Sequence, residues 1–221
     1  MKIVSKDEAI SFIRAHTQRA STPLLPEIEL HLATEITPLW QATEAEIAAS
    51  ALPPPYWAFA WVGGQALARH VLDHPAVVRG KRVLDFAAGS GVVGIAAAMA
   101  GAAQVEASEI DAFAAAAIEL NAAANGVTLL PRVEDLTTGV IGTWEVVLAG
   151  DVCYERPMAA HVVTWLSRLA DSGTEVLLGD PGRAYLPERG LRELARYTVP
   201  TTRELEDNER REVGIFRLVG S

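Results

Sequence analysis

Residues Val83 to Gly94 read Val-Leu-Asp-Phe-Ala-Ala-Gly-Ser-Gly-Val-Val-Gly, an apolar stretch that runs into a glycine turn with an acid just ahead of it. Glycines at 89 and 91 allow positive φ and close approach of the backbone to a ligand, and a helix opening after them points unpaired N–H groups into the turn. Gly89, Gly91 and Gly94 also satisfy Gly-x-Gly-x-x-Gly, with Glu109 placed 20 residues past Gly89, a spacing that suits a dinucleotide. Asp85 argues against that ligand, because a carboxylate about one turn upstream repels phosphates. A ligand carrying an amino group and a sulfonium is favoured there instead. Asp85, Glu109, Asp135, Asp151 and Asp180 all fall just beyond the carboxyl ends of predicted strands, the edge that forms the ligand crevice of an open α/β sheet.

The turn resembles motif I of the seven-β-strand S-adenosylmethionine-dependent methyltransferases, commonly Asp/Glu-x-Gly-x-Gly-x-Gly, with Ala87 where the first glycine is usual. That resemblance implies cofactor contacts from Asp85, Ala87, Gly89, Gly91, Glu109 and Asp135, and Trp61, beside Gly63-Gly64, is expected to contact the cofactor as well. Glu109 is expected to accept from both ribose hydroxyls, Asp135 from the adenine amino group, and Asp85 to face the methionine ammonium, directly or through water. Asp111 is the rival for Glu109 but suits an N-cap of the following helix.

After the fourth core strand stands Asp151-Val152-Cys153-Tyr154, which resembles the Asp-x-x-Tyr signature of protein lysine methyltransferases. Enzymes of the same fold that act on exocyclic amines carry Asn/Asp-Pro-Pro-Tyr/Phe at this point; the Pro-Pro-Tyr of this chain, Pro54 to Tyr56, lies upstream of motif I and is not expected to serve. An unperturbed lysine, with a pKa near 10.4, is ready to attack in roughly one molecule per thousand at neutral pH. Ammonium facing sulfonium at about 4 Å costs roughly 4 kcal/mol at an effective dielectric of 20, so the proton leaves first, to water. Asp151 is expected to aim the amine and stabilise the alkylammonium as it forms, and Tyr154 to wall the channel.

Three segments narrow the resemblance: Pro54-Pro55-Tyr56-Trp57-Ala58-Phe59-Ala60-Trp61-Val62-Gly63-Gly64-Gln65, Asp151-Val152-Cys153-Tyr154-Glu155 and Asp180-Pro181-Gly182-Arg183. Together they resemble the lysine methyltransferases of the electron transfer flavoprotein β-subunit, with Val62 where a proline is expected after the second tryptophan. The resemblance covers about Pro53 to the end. It implies methylation of lysines beside the partner-docking loop of a flavin electron carrier.

These residues need a scaffold, and from Gly63 onward the pattern alternates helix and strand, the mark of a doubly wound α/β sheet with helices on both faces. Helices are expected over Gly63–Leu72, Gly91–Ala100, Asp111–Ala124 and Pro157–Ala170, and strands over Arg82–Phe86, Gln104–Ser108, Leu129–Val133, Trp144–Ala149 and Glu175–Leu178. A further helix near Pro187–Ala195 and a terminal pair over Tyr197–Glu206 and Glu212–Val219 complete the Rossmann-like, seven-stranded core. Ahead of it, Lys6 to about Arg19 fits an amphipathic helix capped by Ser5, part of Ile28–Thr37 an extended segment, and Thr43–Ala49 a short helix. The chain thus divides into an extension packing on the core, residues 1–62, and a methyltransferase domain, residues 63–221.

The 221 residues suffice for one well-buried core, and a net charge of −9 with no visible Lys/Arg cluster argues against nucleic acid as the main partner. The lone Cys153 excludes a disulfide framework and, with no His or Cys at ligand spacing, a structural zinc site; no metal is expected. Neither a membrane span nor a signal or transit peptide is evident, so the cytoplasm is the expected compartment. The leading reading is a protein-lysine methyltransferase acting on the flavoprotein subunit. Its rivals are a ribosomal-protein lysine methyltransferase, a small-molecule N-methyltransferase, a dinucleotide-dependent reductase and a noncatalytic binding module.

Overall fold

The computed structural model describes residues 5–33, 54–139 and 142–219. Helix α1 (Lys6–His16) opens on Ser5, whose Oγ accepts from Glu8 N while the Glu8 carboxylate accepts from Ser5 N at 2.8 Å, a reciprocal cap that satisfies two otherwise open donors. The helix stops three residues before the expected Arg19. Strand β1 (Gln18–Thr22) begins there and pairs antiparallel with β2 (Leu25–Leu32). The helix expected over Thr43–Ala49 lies outside the described residues.

Helix α2 (Val62–Asp73) leads to strand β3 (Arg82–Phe86), followed by α3 (Val92–Met99), β4 (Gln104–Glu109), α4 (Ala112–Ala124), β5 (Leu130–Val133), β6 (Val146–Gly150), α5 (Arg156–Asp171) and β7 (Glu175–Asp180). The chain closes with β8 (Leu191–Pro200), a single helical turn α6 (Arg203–Glu206) and β9 (Arg210–Leu218). The sheet has seven strands in the order β5-β4-β3-β6-β7-β9-β8, the first five parallel and β9 antiparallel to both its neighbours. The chain winds outward from β3 in one direction and from β6 in the other, so a crevice opens where these two neighbouring strands end.

Alternation along the strands explains why both faces are covered. Val83, Val105, Val146, Leu148 and Leu177 pack against α2, α3 and α4, whereas Leu84, Phe86, Val147, Ala149 and Leu178 pack against α5 with Trp165 at the centre. The N-terminal hairpin is pinned to α4 by two asparagines. Asn121 Oδ1 accepts from His31 N at 2.7 Å, and Asn125 both accepts from Glu29 N at 2.9 Å and donates to Glu29 O at 2.6 Å.

The helix expected near Pro187–Ala195 is not formed. Leu191–Pro200 is an edge strand instead, in register with β9 from Leu191 opposite Leu218 to Pro200 opposite Arg210. Leu-Arg-Glu-Leu-Ala-Arg has helical propensity, but strand pairing lets Val199 bury completely beside Val213 and Ile215, and tertiary packing overrides so local a preference. The first member of the expected terminal pair, Tyr197–Glu206, is accordingly split between the end of β8 and α6, and the second, Glu212–Val219, falls on β9.

Candidate active site

The β3–α3 turn is latched to the end of β4. Ala88 N donates to Ser108 O at 3.1 Å and Gly89 N to a Glu109 carboxylate oxygen at 2.6 Å, which draws the Glu109 side chain over the turn. Gly89 and Gly91 have positive φ, as the glycine pattern requires. Ala87 also has φ of 52°, so the residue standing where a glycine is usual carries that glycine's backbone conformation.

A cavity of about 530 Å³ lies over these strand ends. Ala87, Gly89, Glu109 and Asp135 line one part of it, Asp151, Tyr154 and Arg183 another, and Trp61 and Tyr56 also face it. Seven of the nine residues singled out from the sequence are therefore brought to one cavity. The exceptions are Asp85 and Gly91. Asp85 is buried beneath the turn, where it accepts from Gly94 N at 2.7 Å, and burial pushes its carboxyl up to about 7 against the pull of that N–H. The side chain ties strand to helix and does not line the cavity, so the geometry does not offer the direct contact with a ligand ammonium. Gly91, also expected beside the ligand, begins α3 and packs on Ile118.

Asp111 caps α4 through Phe113 N at 2.9 Å, as its spacing suggested, and it lines the cavity beside Glu109, the acid that ends β4. Burial raises the Glu109 carboxyl despite donations from Gly89 and Ile110 N–H groups. Asp135 accepts from Thr137 N and Thr137 Oγ1, shaping the helical turn Leu136–Thr138 whose residues continue the cavity wall.

Asp151 sits immediately after β6 with φ of 57°, a strained conformation that Asp tolerates better than most residues. One carboxylate oxygen accepts from Gly64 N at 3.0 Å, the other from Arg183 Nη2 at 2.9 Å. Burial raises the Asp151 carboxyl to about 6, opposed by Arg183 and the Gly64 N–H. The approach of α2 depends on glycine at 63, since a Cβ there would lie 2.3 Å from Gly179 O and 2.5 Å from the Asp151 carboxylate. Cys153 is buried with its thiol raised to about 12 by desolvation, which fits the inert role read from the sequence.

The aromatic wall holds a correction. The Tyr56 ring meets Tyr154 edge-on at 5.9 Å and Trp61 at 5.8 Å, and Trp61 Nε1 donates to Tyr56 O at 3.0 Å. Position ahead of motif I therefore does not remove Pro54 and Tyr56 from the site, because both line the cavity. Trp57 reaches its edge but stacks on Phe113 within the α1–α4 core, so packing dominates there. Sequence reasoning also left Arg183 and Ser108 without roles. Arg183 was legible as the end of an Asp-Pro-Gly-Arg strand-end turn; Ser108, whose buried Oγ has no hydrogen-bond partner, carried only its place before Glu109.

Comparison with known proteins adds the context of descent. Residues 66–151 match the family model "Ribosomal protein L11 methyltransferase (PrmA)". The chain is 40% identical to the electron transfer flavoprotein β-subunit lysine methyltransferase of Xenopus laevis over 206 residues, covering 89% of this chain and 81% of that protein. It is 37% identical to the Mus musculus protein of the same description over 215 residues, covering 90% and 79%. Among solved structures, magnesium protoporphyrin IX methyltransferase from Synechocystis PCC 6803 with bound S-adenosylmethionine superposes with a TM-score of 0.52 at 22% identity, over 71% of this chain and 80% of that one.

Proposed function

Because the chain belongs to the family of electron transfer flavoprotein β-subunit lysine methyltransferases, we propose that it transfers methyl groups from S-adenosylmethionine to lysine side chains of that flavoprotein subunit. The observation that carries this reading is a single cavity with Glu109, Asp135 and the glycine turn at one part and the Asp151–Tyr154 pair at another. Electrophile and amine can meet there without a large rearrangement.

The residues present suit the cofactor. Glu109 carries acceptor oxygens at the end of β4 for the ribose hydroxyls, the unpartnered Ser108 Oγ lies beside it, and the Leu136 turn with Asp135 offers an apolar wall and an acceptor for adenine. When bound, S-adenosylmethionine supplies a methyl group activated by the adjacent sulfonium. Trp61 and Ala87 would line its path, while Asp85 acts from beneath by holding Gly94 and hence the turn.

Asp151 is the catalytic residue of this proposal. Its two oxygens are fixed by Gly64 N and Arg183, so the carboxylate plane is set before substrate arrives. Lone pairs left on the carboxylate accept from the amine, aim it along the transfer axis and stabilise the alkylammonium as charge develops. The ammonium proton passes to water, because a carboxylate with a pKa of about 6 is too weak a base to hold it against an amine. Tyr154, with its phenol raised to about 12 chiefly by burial, stays neutral and walls the channel together with Tyr56.

The rival substrate, a ribosomal protein, is supported by the family match over residues 66–151, but that stretch is the cofactor-binding half and stops at Asp151. The flavoprotein reading draws on relatives that align over most of their own length. No helix among the described residues is long and apolar enough to cross a membrane. We place the activity in the cytoplasm, on the strength of the single buried thiol. The test is transfer of labelled methyl from S-adenosylmethionine to purified electron transfer flavoprotein and, separately, to ribosomal protein L11. Label on the flavoprotein β-subunit, lost in Asp151→Ala while cofactor affinity stays within a few-fold, is the expected result. Label on L11 alone would overturn the substrate, and equal loss of turnover and cofactor affinity would overturn the role of Asp151.

A further inference from the structure

Behind the cavity, Arg183 bridges two buried carboxylates. Its Nη2 lies 2.9 Å from one Asp151 oxygen and 2.5 Å from Glu206 Oε1, and its Nη1 lies 3.1 Å from Glu206 Oε2. Glu206 ends the helical turn between β8 and β9, and its side chain is only 2% exposed. The Arg183 backbone is fixed too: Asp180 Oδ1 accepts from Gly182 N at 2.7 Å and Arg183 N at 2.6 Å, closing a turn at the end of β7.

We infer that Arg183 is a positioning residue for methyl transfer, locked by a two-point contact with Glu206 so that it presents one fixed N–H to the Asp151 carboxylate. The inference rests on the catalytic role proposed for Asp151 and adds to it a dependence on the β8–β9 connection, whose Glu206 is linked to Asp151 through this guanidinium. A planar guanidinium gripped by both oxygens of one carboxylate has little freedom left, so the direction of its remaining contact is set. A lysine could supply the charge but not this geometry. Burying a charge without partners is costly, and Asp151 and Glu206 offset most of that cost around Arg183, whose Nε alone lacks a hydrogen bond, with Arg211 Nε 3.6 Å from the outer Glu206 oxygen.

The electrostatics agree. Asp151 is faced by Arg183 and Asp180 from the β7 side, by Gly64 N from α2 and by Cys153 from its own loop, with Tyr154 and His161 also on the cavity wall. Among these Arg183 is the cation that holds the carboxyl down at about 6 against desolvation and Asp180. Losing it raises the pKa of Asp151, and a protonated Asp151 cannot stabilise an alkylammonium.

The experiment compares wild type with Arg183→Met, Arg183→Lys, Glu206→Ala and Glu206→Gln in methyl transfer to electron transfer flavoprotein across pH, alongside calorimetric binding of S-adenosylmethionine. In Arg183→Met, kcat is expected to fall at least tenfold at pH 7 with cofactor Kd within about threefold, and the acid limb to move up by about one pH unit or more. Arg183→Lys should recover the position of the limb better than it recovers kcat. Glu206→Ala is expected to lower kcat about tenfold, and Glu206→Gln, which keeps one acceptor but sets a donor against the other guanidinium N–H, to recover only a small part of it. An unmoved acid limb in Arg183→Met, or a loss explained wholly by cofactor affinity, overturns the inference. If wild type does not label the flavoprotein, the substrate reading fails, and carboxyl-carbon NMR titration of Asp151 in wild type and Arg183→Met still decides: an upward shift supports the positioning contact and no shift refutes it.

Discussion

Gly63→Ala should be among the most damaging single-methyl changes available in this chain. The added Cβ would lie 2.3 Å from Gly179 O, 2.5 Å from an Asp151 carboxylate oxygen and 2.8 Å from its carbon. Ordinary contact begins near 3.4 Å, so α2 must withdraw by about 1 Å. Gly179 O cannot give way instead, because it is fixed in β7 and accepts from Asp151 N at 3.0 Å. Overpacking of this kind costs about 1–3 kcal/mol, and stretching the Gly64 N bond to Asp151 removes a contact to a charged group worth about 1.5–3 kcal/mol, so the fold should lose about 3–5 kcal/mol. For a domain of this size that is a fall in Tm of about 6–20 °C. A 1 Å displacement of the group that aims the amine should also lower kcat about 100-fold, beyond any effect of unfolding. Gly64→Ala is the control: its Cβ would meet Val92 at 3.5 Å, an ordinary contact, and a helix gains up to about 1 kcal/mol from the exchange. Thermal unfolding and methyl-transfer kinetics of the two variants test the argument together. If Gly63→Ala melted within 2 °C of wild type and kept more than a third of its kcat, the close approach of α2 to Asp151 would not be what sets the site.

Other expectations concern titration and packing. Plotted as log kcat/KM against pH, activity should rise with a slope near one through neutral pH, where the substrate lysine is losing its proton, and with a slope near two below about 6, where Asp151 also protonates; a slope of one down to pH 5 would mean that activity does not depend on an Asp151 carboxylate protonating near 6. Asp85 favours its neutral form when folded, with a folded pKa of about 7 against an unfolded value near 3.9, so its contribution to stability is greatest below the unfolded value and declines as pH rises through 7. Asp85→Asn should therefore gain stability relative to wild type between pH 5 and 8 in urea unfolding, and a constant difference across that range would refute the assignment. Asn121→Ala removes the hydrogen bonds to His31 N and Ser90 O at a fully buried position and should cost about 2–4 kcal/mol, with the β1–β2 hairpin losing amide-exchange protection first.

The part of the cavity lined by the glycine turn and Glu109 was legible because its residues are local in sequence. The glycines, the acid after β4 and the strand-to-helix change lie within one β-turn-α-β unit, where spacing along the chain maps directly onto spacing in the fold. The Asp151–Tyr154 signature was legible for the same reason. What escaped was assembled from far apart: Tyr56 meets Tyr154 across nearly one hundred residues, and Glu206 reaches Asp151 only through Arg183. Asp85 shows what place along the chain leaves out, since backbone geometry turns its carboxylate inward onto Gly94.

The same division holds for the fold. Short apolar runs bounded by turn residues, alternating with helix-length segments, were enough to determine a parallel doubly wound sheet, because strands buried on both faces read as such runs and their length separates them from helices. The C-terminal strand β8 was decided by tertiary structure alone. Its residues favour a helix locally, and only pairing with β9, together with burial of Val199 against α2, makes the extended form lower in free energy. That pairing is also what places Glu206 behind Arg183, so the last strands of the sheet, whose sequence is least telling, decide how Asp151 is held.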